Sequence, residues 1–287
     1  MRRGVIDIGS NSVRSMLWEN GSSLGKEAVI TKLGEGLAAS GVLCAPAKER
    51  TLEAVRLLKE KLISDGAASV CAFGTAAMRR AANGGDFGKE IESVLSVPVE
   101  IVSGEEEASL GLAGALNGRD GGIVDIGGAS SEISVCAGGK LVYSYSLDLG
   151  VVRLCDMCGQ DGDKLKKTCA AAAEKYGAVP CAEFYGIGGT ATSLAAIDLA
   201  CEPYDPDRVH GHKMSRAKMD CLCEKLLSMS VEERKKLKGL QRGRAEVIAG
   251  GCVLMLAIMD KLKLKEITVS ESDNLEGYAL SRFKERT

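Results

Sequence analysis

Two stretches of the chain present carboxylate, glycine and hydroxyl groups in the same order. VIDIGSNSVRSML runs from Val5 to Leu17 and IVDIGGASSEISV from Ile123 to Val135, so Asp7 and Asp125 lie 118 residues apart. Each aspartate ends an apolar run of the kind that forms a buried strand, and small polar residues follow it. Backbone N–H groups of such a turn form an anion-binding nest, and Ser and Asn side chains add donors. A carboxylate repels phosphate, so Asp7 and Asp125 make chemical sense there if they hold or order a hard cation, usually through water. Mg2+ or Mn2+ is the expected ion, neutralising a bound phosphate. One such turn could be a hairpin with a structural aspartate. Its recurrence at the same place in both halves argues against that.

Three further segments carry groups suited to phosphate chemistry. GIGGT (Gly186–Thr190) sits between a strand pattern and a helix pattern, where glycines permit close approach and a helix N-terminus favours anions. SGEEEASLGLAGAL opens with Ser103 as a helix cap, and Glu106 three residues later fits a capping box. That leaves Glu105 and Glu107 to explain, either as a solvated, dipole-stabilised helix start or as a catalytic acid at a strand end. FGTAAMRRAANG supplies Arg79 and Arg80, whose planar guanidinium groups suit phosphate oxygens as well as they suit a surface. The pairs Cys155/Cys158 and Cys221/Cys223 lack a matching second pair, and His210 and His212 are the only histidines, so buried small hydrophobes are the better reading than zinc ligands.

These groups need strands and helices to hold them. The first half reads as a hairpin over Val5–Met16, a strand in EAVITKLGEGL, and a helix in APAKERTLEAVRLLKEKLISDG stopped by Gly66. Two strand–turn–helix units follow, the second with its strand ending at Val102 and its helix starting at Glu105. The second half restarts near Gly121 with another hairpin, then a helix over Val151–Met157 and a polar helix in DKLKKTCAAAAEKY. The EFYGIGGTATSLAAI strand and turn come next, followed by a basic helical stretch over Ser215–Lys238, a buried helix over Val247–Met259 and a closing strand and helix. Strands alternating with helices make an α/β protein.

Composition sets the class. The 287 residues are 45% apolar and 26% charged, as in an ordinary globular protein with a full core. A net charge of −2 gives no overall attraction to nucleic acid or anionic lipid, so neither is an expected partner, and a polyanion must be held locally. Eleven cysteines and an N-terminus that enters a strand pattern at once point to a reducing cytoplasm. No apolar run approaches membrane-spanning length.

Together these segments resemble the exopolyphosphatase / guanosine pentaphosphate phosphohydrolase family, whose fold is that of the sugar kinase, actin and heat-shock ATPase superfamily. DIGSNSVR resembles its first phosphate motif, DIGGASSE its second, TAAMRRAANG its arginine segment, SGEEEA its acid segment and GIGGTATSLA its third glycine loop. LDLGVVRL, VHGHKMSR and GRAEVIAGG fall in the family's order too. The resemblance implies that Glu107 is the base that activates water. It implies phosphate contacts from Asn11, Ser12, Arg14, Arg79, Gly127, Gly128, Ser130, Gly188, Gly189 and Thr190, and a cation at Asp125 with Asp7 or Glu132. The chain departs from the pattern where Ala129 replaces a glycine, Ser131 a threonine and Glu246 an aspartate. It ends at Thr287, which implies a short form suited to short polyphosphates.

The expected architecture is α/β, with two ribonuclease-H-like (actin-like ATPase) domains, 1–118 and 119–287, facing across a cleft lined by the repeated hairpins; the last helix is placed back on the first domain. The expected reaction is Mg2+-dependent hydrolysis of a terminal phosphoanhydride of inorganic polyphosphate. Guanosine pentaphosphate is the alternative substrate, an ATP-binding actin-like or sugar-kinase-like protein the alternative class, and a non-catalytic polyphosphate sensor a further one. A homodimer is the candidate assembly.

Overall fold

The computed structural model describes residues 1–180 and 182–283. Its contacts divide the chain into two compact units, Met1–Gly114 with Asn274–Thr287, and Ala115–Asp273. The division differs from the boundaries read from sequence at both ends of the second segment.

In the first unit, β1 (Arg3–Ile8), β2 (Ser12–Glu19), β3 (Ser22–Ile30), β4 (Ser69–Gly74) and β5 (Val99–Ile101) form one sheet in the order β3-β2-β1-β4-β5. The first three strands are antiparallel, and β4 and β5 extend the sheet in parallel from β1. Strand alternation sorts the side chains between two layers. Ile6, Ile8, Val13 and Leu17 join the core under the helices Ala45–Ser64 and Gly84–Leu95. Those helices bury Val55, Leu58 and Leu62, and Phe87, Ile91 and Leu95, at helical spacing. Val5, Met16, Trp18 and Phe73 pack on the other side against Val102, Leu110, Leu275 and Tyr278. The C-terminal helix Asn274–Arg282 is thereby a core element of this unit. Its Tyr278 ring stacks on Phe73 with centroids 4.6 Å apart and its hydroxyl donates to Glu100 Oε2 at 2.9 Å.

In the second unit, β6 (Gly121–Ile126), β7 (Ser131–Ala137), β8 (Lys140–Leu147), β9 (Phe184–Ile187), β10 (Lys213–Ser215) and β11 (Glu266–Val269) form a sheet of order β10-β11-β9-β6-β7-β8. Its β8-β7-β6-β9-β11 portion repeats the strand order and directions of the first sheet, and β10 adds an antiparallel edge. The helix Ile248–Lys261 is buried along nearly its whole first three turns, as its uninterrupted apolar sequence requires. The basic stretch Ser215–Lys238 is not one helix. Arg216–Ser228 ends, and Ser230 opens the short helix Val231–Arg234 with a full capping box to Glu233. A cap of this kind offers the backbone a new start that competes with continuation. Cys158, Cys169, Cys223 and Cys252 lie in the hydrophobic core. Among the described residues no helix is long and apolar enough to cross a membrane.

Candidate active site

The first hairpin turns over Gly9–Ser12, where Gly9 N–H donates to Ser12 O at 3.0 Å. The strand register sets Asp7 directly opposite Arg14. Arg14 Nε donates to Asp7 Oδ2 at 3.0 Å, and Nη2 reaches the same oxygen. With side chains 4% and 16% exposed, this is a largely buried ion pair. The Ser10 and Asn11 carbonyls accept from the segment after β3: Gly34 N–H to Ser10 O at 2.8 Å, and Thr31 and Lys32 N–H to Asn11 O at 3.0 Å. The Asn11 side chain is different. It is buried, yet neither Oδ1 nor Nδ2 bonds to another group of the protein. Buried amides are nearly always satisfied, so such a group is one that a ligand can satisfy.

The second hairpin repeats the turn, with Gly127 N–H donating to Ser130 O at 3.0 Å. Here the register sets Asp125 opposite Glu132, a carboxylate where the first hairpin has a guanidinium. Glu132 is buried and accepts from Ser146 Oγ at 2.6 Å. The Gly127 and Gly128 carbonyls are held by Val151 and Val152 N–H at 2.9 and 2.8 Å, at the start of the helix Val151–Cys158. Ala129 occupies the place of Asn11 and does not take a left-handed backbone, so its methyl fits without strain. Ser131 Oγ accepts from the Tyr176 hydroxyl at 2.8 Å.

The third glycine turn starts the helix Gly188–Asp198 against this hairpin. Gly188 has φ 74°, and a Cβ there would stand 2.6 Å from Asp125 Oδ1. A Cβ on Gly189 would stand 2.2 Å from Arg244 Nη1, so that guanidinium lies against bare backbone. Thr190 Oγ1 donates to Ile126 O at 2.7 Å and ties the turn to the end of β6. Arg244 is a member of this constellation that the sequence did not reveal as such. Its only signal was the position of GRAEV in the family order.

The acid segment follows β5, with Glu106 N–H donating to Ser103 Oγ at 3.1 Å. Only half of the expected capping box forms, because the Glu106 carboxylate accepts from Arg282 Nη2 at 2.7 Å instead. Glu105 is exposed. Glu107 is 13% exposed and meets Arg79, whose Nη1 donates to Glu107 Oε2 at 2.9 Å and to Val102 O at 2.8 Å. Three successive acids thus have three fates, and Arg79 and Glu107 stand together.

Among the described residues no group of three or more His, Cys, Asp or Glu side chains is arranged to enclose a metal. Asp125 and Glu132 nonetheless fit Mg2+, an ion that keeps several waters and binds through one or two carboxylates plus substrate phosphates. The two acids stand directly opposed across the hairpin, the donor chemistry that such an ion takes, and Gly188 passes where a Cβ would collide with Asp125.

A family model described as the Ppx/GppA phosphatase family matches residues 18–285. The chain belongs to that family. It is 31% identical to Exopolyphosphatase 2 of Mycobacterium tuberculosis, over 98% of each sequence. It is similar to the crystal structure of the Aquifex aeolicus Ppx/GppA family member, with TM-score 0.79 and 28% identity over 99% of this chain and 97% of that one. An exopolyphosphatase structure from Cytophaga hutchinsonii gives TM-score 0.85 at 23% identity, covering 98% of this chain and 97% of that one, a likeness of fold. The family resemblance and the α/β two-sheet architecture read from the motifs hold over nearly the whole chain, and membership makes this Ppx/GppA protein a phosphoanhydride hydrolase.

Proposed function

We propose that this protein hydrolyses the terminal phosphoanhydride of inorganic polyphosphate, releasing orthophosphate, with Mg2+ or Mn2+ as cofactor. The observation that carries this reading is the placement of Glu107. Of the three successive acids it is the most shielded, 13% exposed against 36% for Glu106, and it meets Arg79 whereas Glu106 meets Arg282. A solvated helix start has no need of that arrangement, whereas water activation beside a phosphate-binding arginine does. The name of the Mycobacterium tuberculosis relative supports polyphosphate as the substrate.

The first unit is assigned the anion and the proton. The Asn11 amide donates to a phosphoryl oxygen and so gains the partner it lacks in the protein. Arg79, with its planar fork, shares its guanidinium between Glu107 and the terminal phosphoryl group. Glu107 accepts a proton from water as the water oxygen forms its bond to the terminal phosphorus, and the bond to the bridging oxygen breaks in line. The second unit is assigned the cation, at Asp125 and Glu132, and its amide turn adds positioning donors. The ion supplies neutralisation of phosphoryl charge. Arg14 neutralises Asp7 within its own hairpin, so Asp7 orders the turn rather than carrying an ion. Free thiols throughout the described core suit a reducing, cytoplasmic setting.

The test is phosphate release by purified protein with Mg2+ from short polyphosphate, long polyphosphate, guanosine pentaphosphate and ATP. Turnover on polyphosphate, abolished by chelation, is expected. Release from guanosine pentaphosphate alone would move the substrate assignment, and release from ATP alone would replace it. Activity undiminished by thorough chelation would remove the cation from the mechanism.

A further inference from the structure

Cys221 and Cys223 stand two residues apart on the helix Arg216–Ser228, a spacing that turns them to different faces. Cys221 is exposed, whereas Cys223 is buried against Cys252 of the helix Ile248–Lys261. The Cys223 thiol donates to the Cys252 sulfur, and the two sulfurs are 2.9 Å apart. Cys252 donates in turn to Met219 O at 3.8 Å, so a lone pair of its sulfur faces Cys223. Core cysteines serve well as small hydrophobes without touching one another. These two meet sulfur to sulfur from positions 29 residues apart in the chain.

The pair has a side open to small molecules. A cavity of about 450 Å³ lies between these two helices and the helix Gly162–Ala173, and Cys223 forms part of its wall with Ala170, Ala173, Val253, Leu256 and Ala257. The charges at its rim are paired, Lys166 with Glu224 at 2.6 Å and Lys261 with Glu174 at 2.7 Å. An apolar wall inside a neutralised rim admits a small uncharged molecule more readily than an ion. Cys252 is fully buried behind Cys223, and burial first, then the bond from Cys223, pushes its thiol well above the ordinary range. It stays protonated, which leaves Cys223 as the sulfur that an entering oxidant meets first.

We propose that Cys223 and Cys252 are a hydroperoxide-reactive pair that closes to a disulfide and reopens under a thiol reductant. The Cys223 sulfur bonds to one peroxide oxygen as the O–O bond breaks. The other oxygen takes the thiol proton and leaves as an alcohol, or as water when the oxidant is hydrogen peroxide. The Cys252 sulfur then bonds to the sulfenic sulfur, the S–O bond breaks, and the hydroxyl leaves as water with the Cys252 proton. Two electrons pass from the two thiols to one hydroperoxide. The side chains of the two helices already touch, so closure asks for little rearrangement. The inference stands apart from the substrate assignment.

The test exposes the reduced full chain to excess hydrogen peroxide, alkylates the remaining thiols in denaturant and maps the tryptic peptides by mass spectrometry. The expected result is a bridge between the peptides that carry Cys223 and Cys252, formed equally in Cys221→Ser and returned to thiols by dithiothreitol. Cys252→Ala should hold the reaction at its first step, leaving a Cys223 sulfenic acid that dimedone traps, and Cys223→Ala should leave Cys252 reduced. Circular dichroism melts confirm that each variant is folded, and the mapping of the unaltered chain stands without them. Full alkylation of both thiols after exposure overturns the proposal. So does a bridge that requires Cys221, or oxidation of Cys252 in the folded Cys223→Ala variant.

Discussion

The hairpins β1–β2 and β6–β7 share a backbone and differ in charge. Both turn through the same Gly N–H to Ser C=O bond of 3.0 Å, at Gly9–Ser12 and Gly127–Ser130. Both set the residue seven places after the aspartate directly across from it. In the first that residue is Arg14, which closes an ion pair, and in the second it is Glu132, which creates a pair of acids. The turn position that holds the unsatisfied Asn11 amide in the first holds Ala129 in the second. One turn geometry thus supports two electrostatic characters: an ion pair beside an unsatisfied amide in the first, and two opposed carboxylates in the second. A duplicated scaffold specialises by exchanging side chains at fixed register positions, because strand pairing fixes which residues meet.

The largest expected effect concerns the proton chemistry assigned to the first unit. Glu107→Gln keeps the shape but cannot take a proton, so kcat should fall by about 10²–10⁴ with KM flat or lower. Glu106→Gln leaves the chemistry intact and loosens only the Arg282 contact. Steady-state kinetics on both variants decides the matter, and the reverse pattern would shift the base to Glu106.

Next in size is an exchange of character between the hairpins. Glu132→Arg gives the second hairpin the charge pattern of the first and sets a guanidinium directly across from Asp125, where the proposed cation would be held. Turnover should drop about a hundredfold or more, corresponding to roughly 3 kcal/mol of lost charge stabilisation, with the melting temperature held. The reverse change, Arg14→Glu, should cost about 3–5 kcal/mol of stability, because it strips a largely buried carboxylate of its partner. Thermal melts with and without Mg2+ test both. A second hairpin that keeps Mg2+-dependent turnover after Glu132→Arg would break the division of roles.

How much of this was legible in the sequence follows the range of the interaction. The duplicated hairpins, their turns and the alternation of strands and helices are written in local patterns, and the strand order follows from the repeat. Arg79 and Glu107 were each visible, but their pairing across 28 residues needed the fold. The Glu106 capping box was read from a local motif and lost to a tertiary partner, Arg282, that no local rule supplies. Arg244 beside Gly189 was illegible for the same reason: nothing near either residue says that they meet. The break at Ser230 was readable from Ser-x-x-Glu, but the basic periodicity around it obscured the cap.

A moderate effect separates Asn11 from Ala129. Asn11→Ala removes a buried amide that has no protein partner, so the ligand-free protein should melt at the same temperature or higher. A hydrogen bond to a charged phosphate is worth about 1.5–3 kcal/mol, so KM should rise about tenfold or more. Stability and binding then move in opposite directions, which a purely structural asparagine could not produce. A lowered melting temperature with unchanged KM would assign Asn11 to the scaffold.

The smallest effect lies at the far ends of the same duplicated strands. Asn20–Gly21 joins β2 to β3 and Gly138–Gly139 joins β7 to β8, both pairs with left-handed backbones and again 118 residues apart. Among the described residues only the second is capped by a carboxylate: Asp120 accepts from Gly138 N–H at 2.8 Å and Gly139 N–H at 3.1 Å. Those two bonds, the Gly138 one first, hold the Asp120 carboxyl below its ordinary value of 3.8. A depressed folded-state pKa means that the cap is complete above the usual aspartate range and is lost as pH falls through the depressed value. Amide NMR shifts of Gly138 and Gly139 should therefore titrate together with a midpoint below 3.8, while Gly21 stays flat. Asp120→Asn should abolish the titration and leave kcat untouched, because a fully exposed turn far along the strand from Asp125 contributes nothing to the reacting groups. Titration of Gly138 and Gly139 at or above the ordinary aspartate value would mean that the cap is not maintained in solution, and that the two outer turns, unlike the two inner ones, have not diverged.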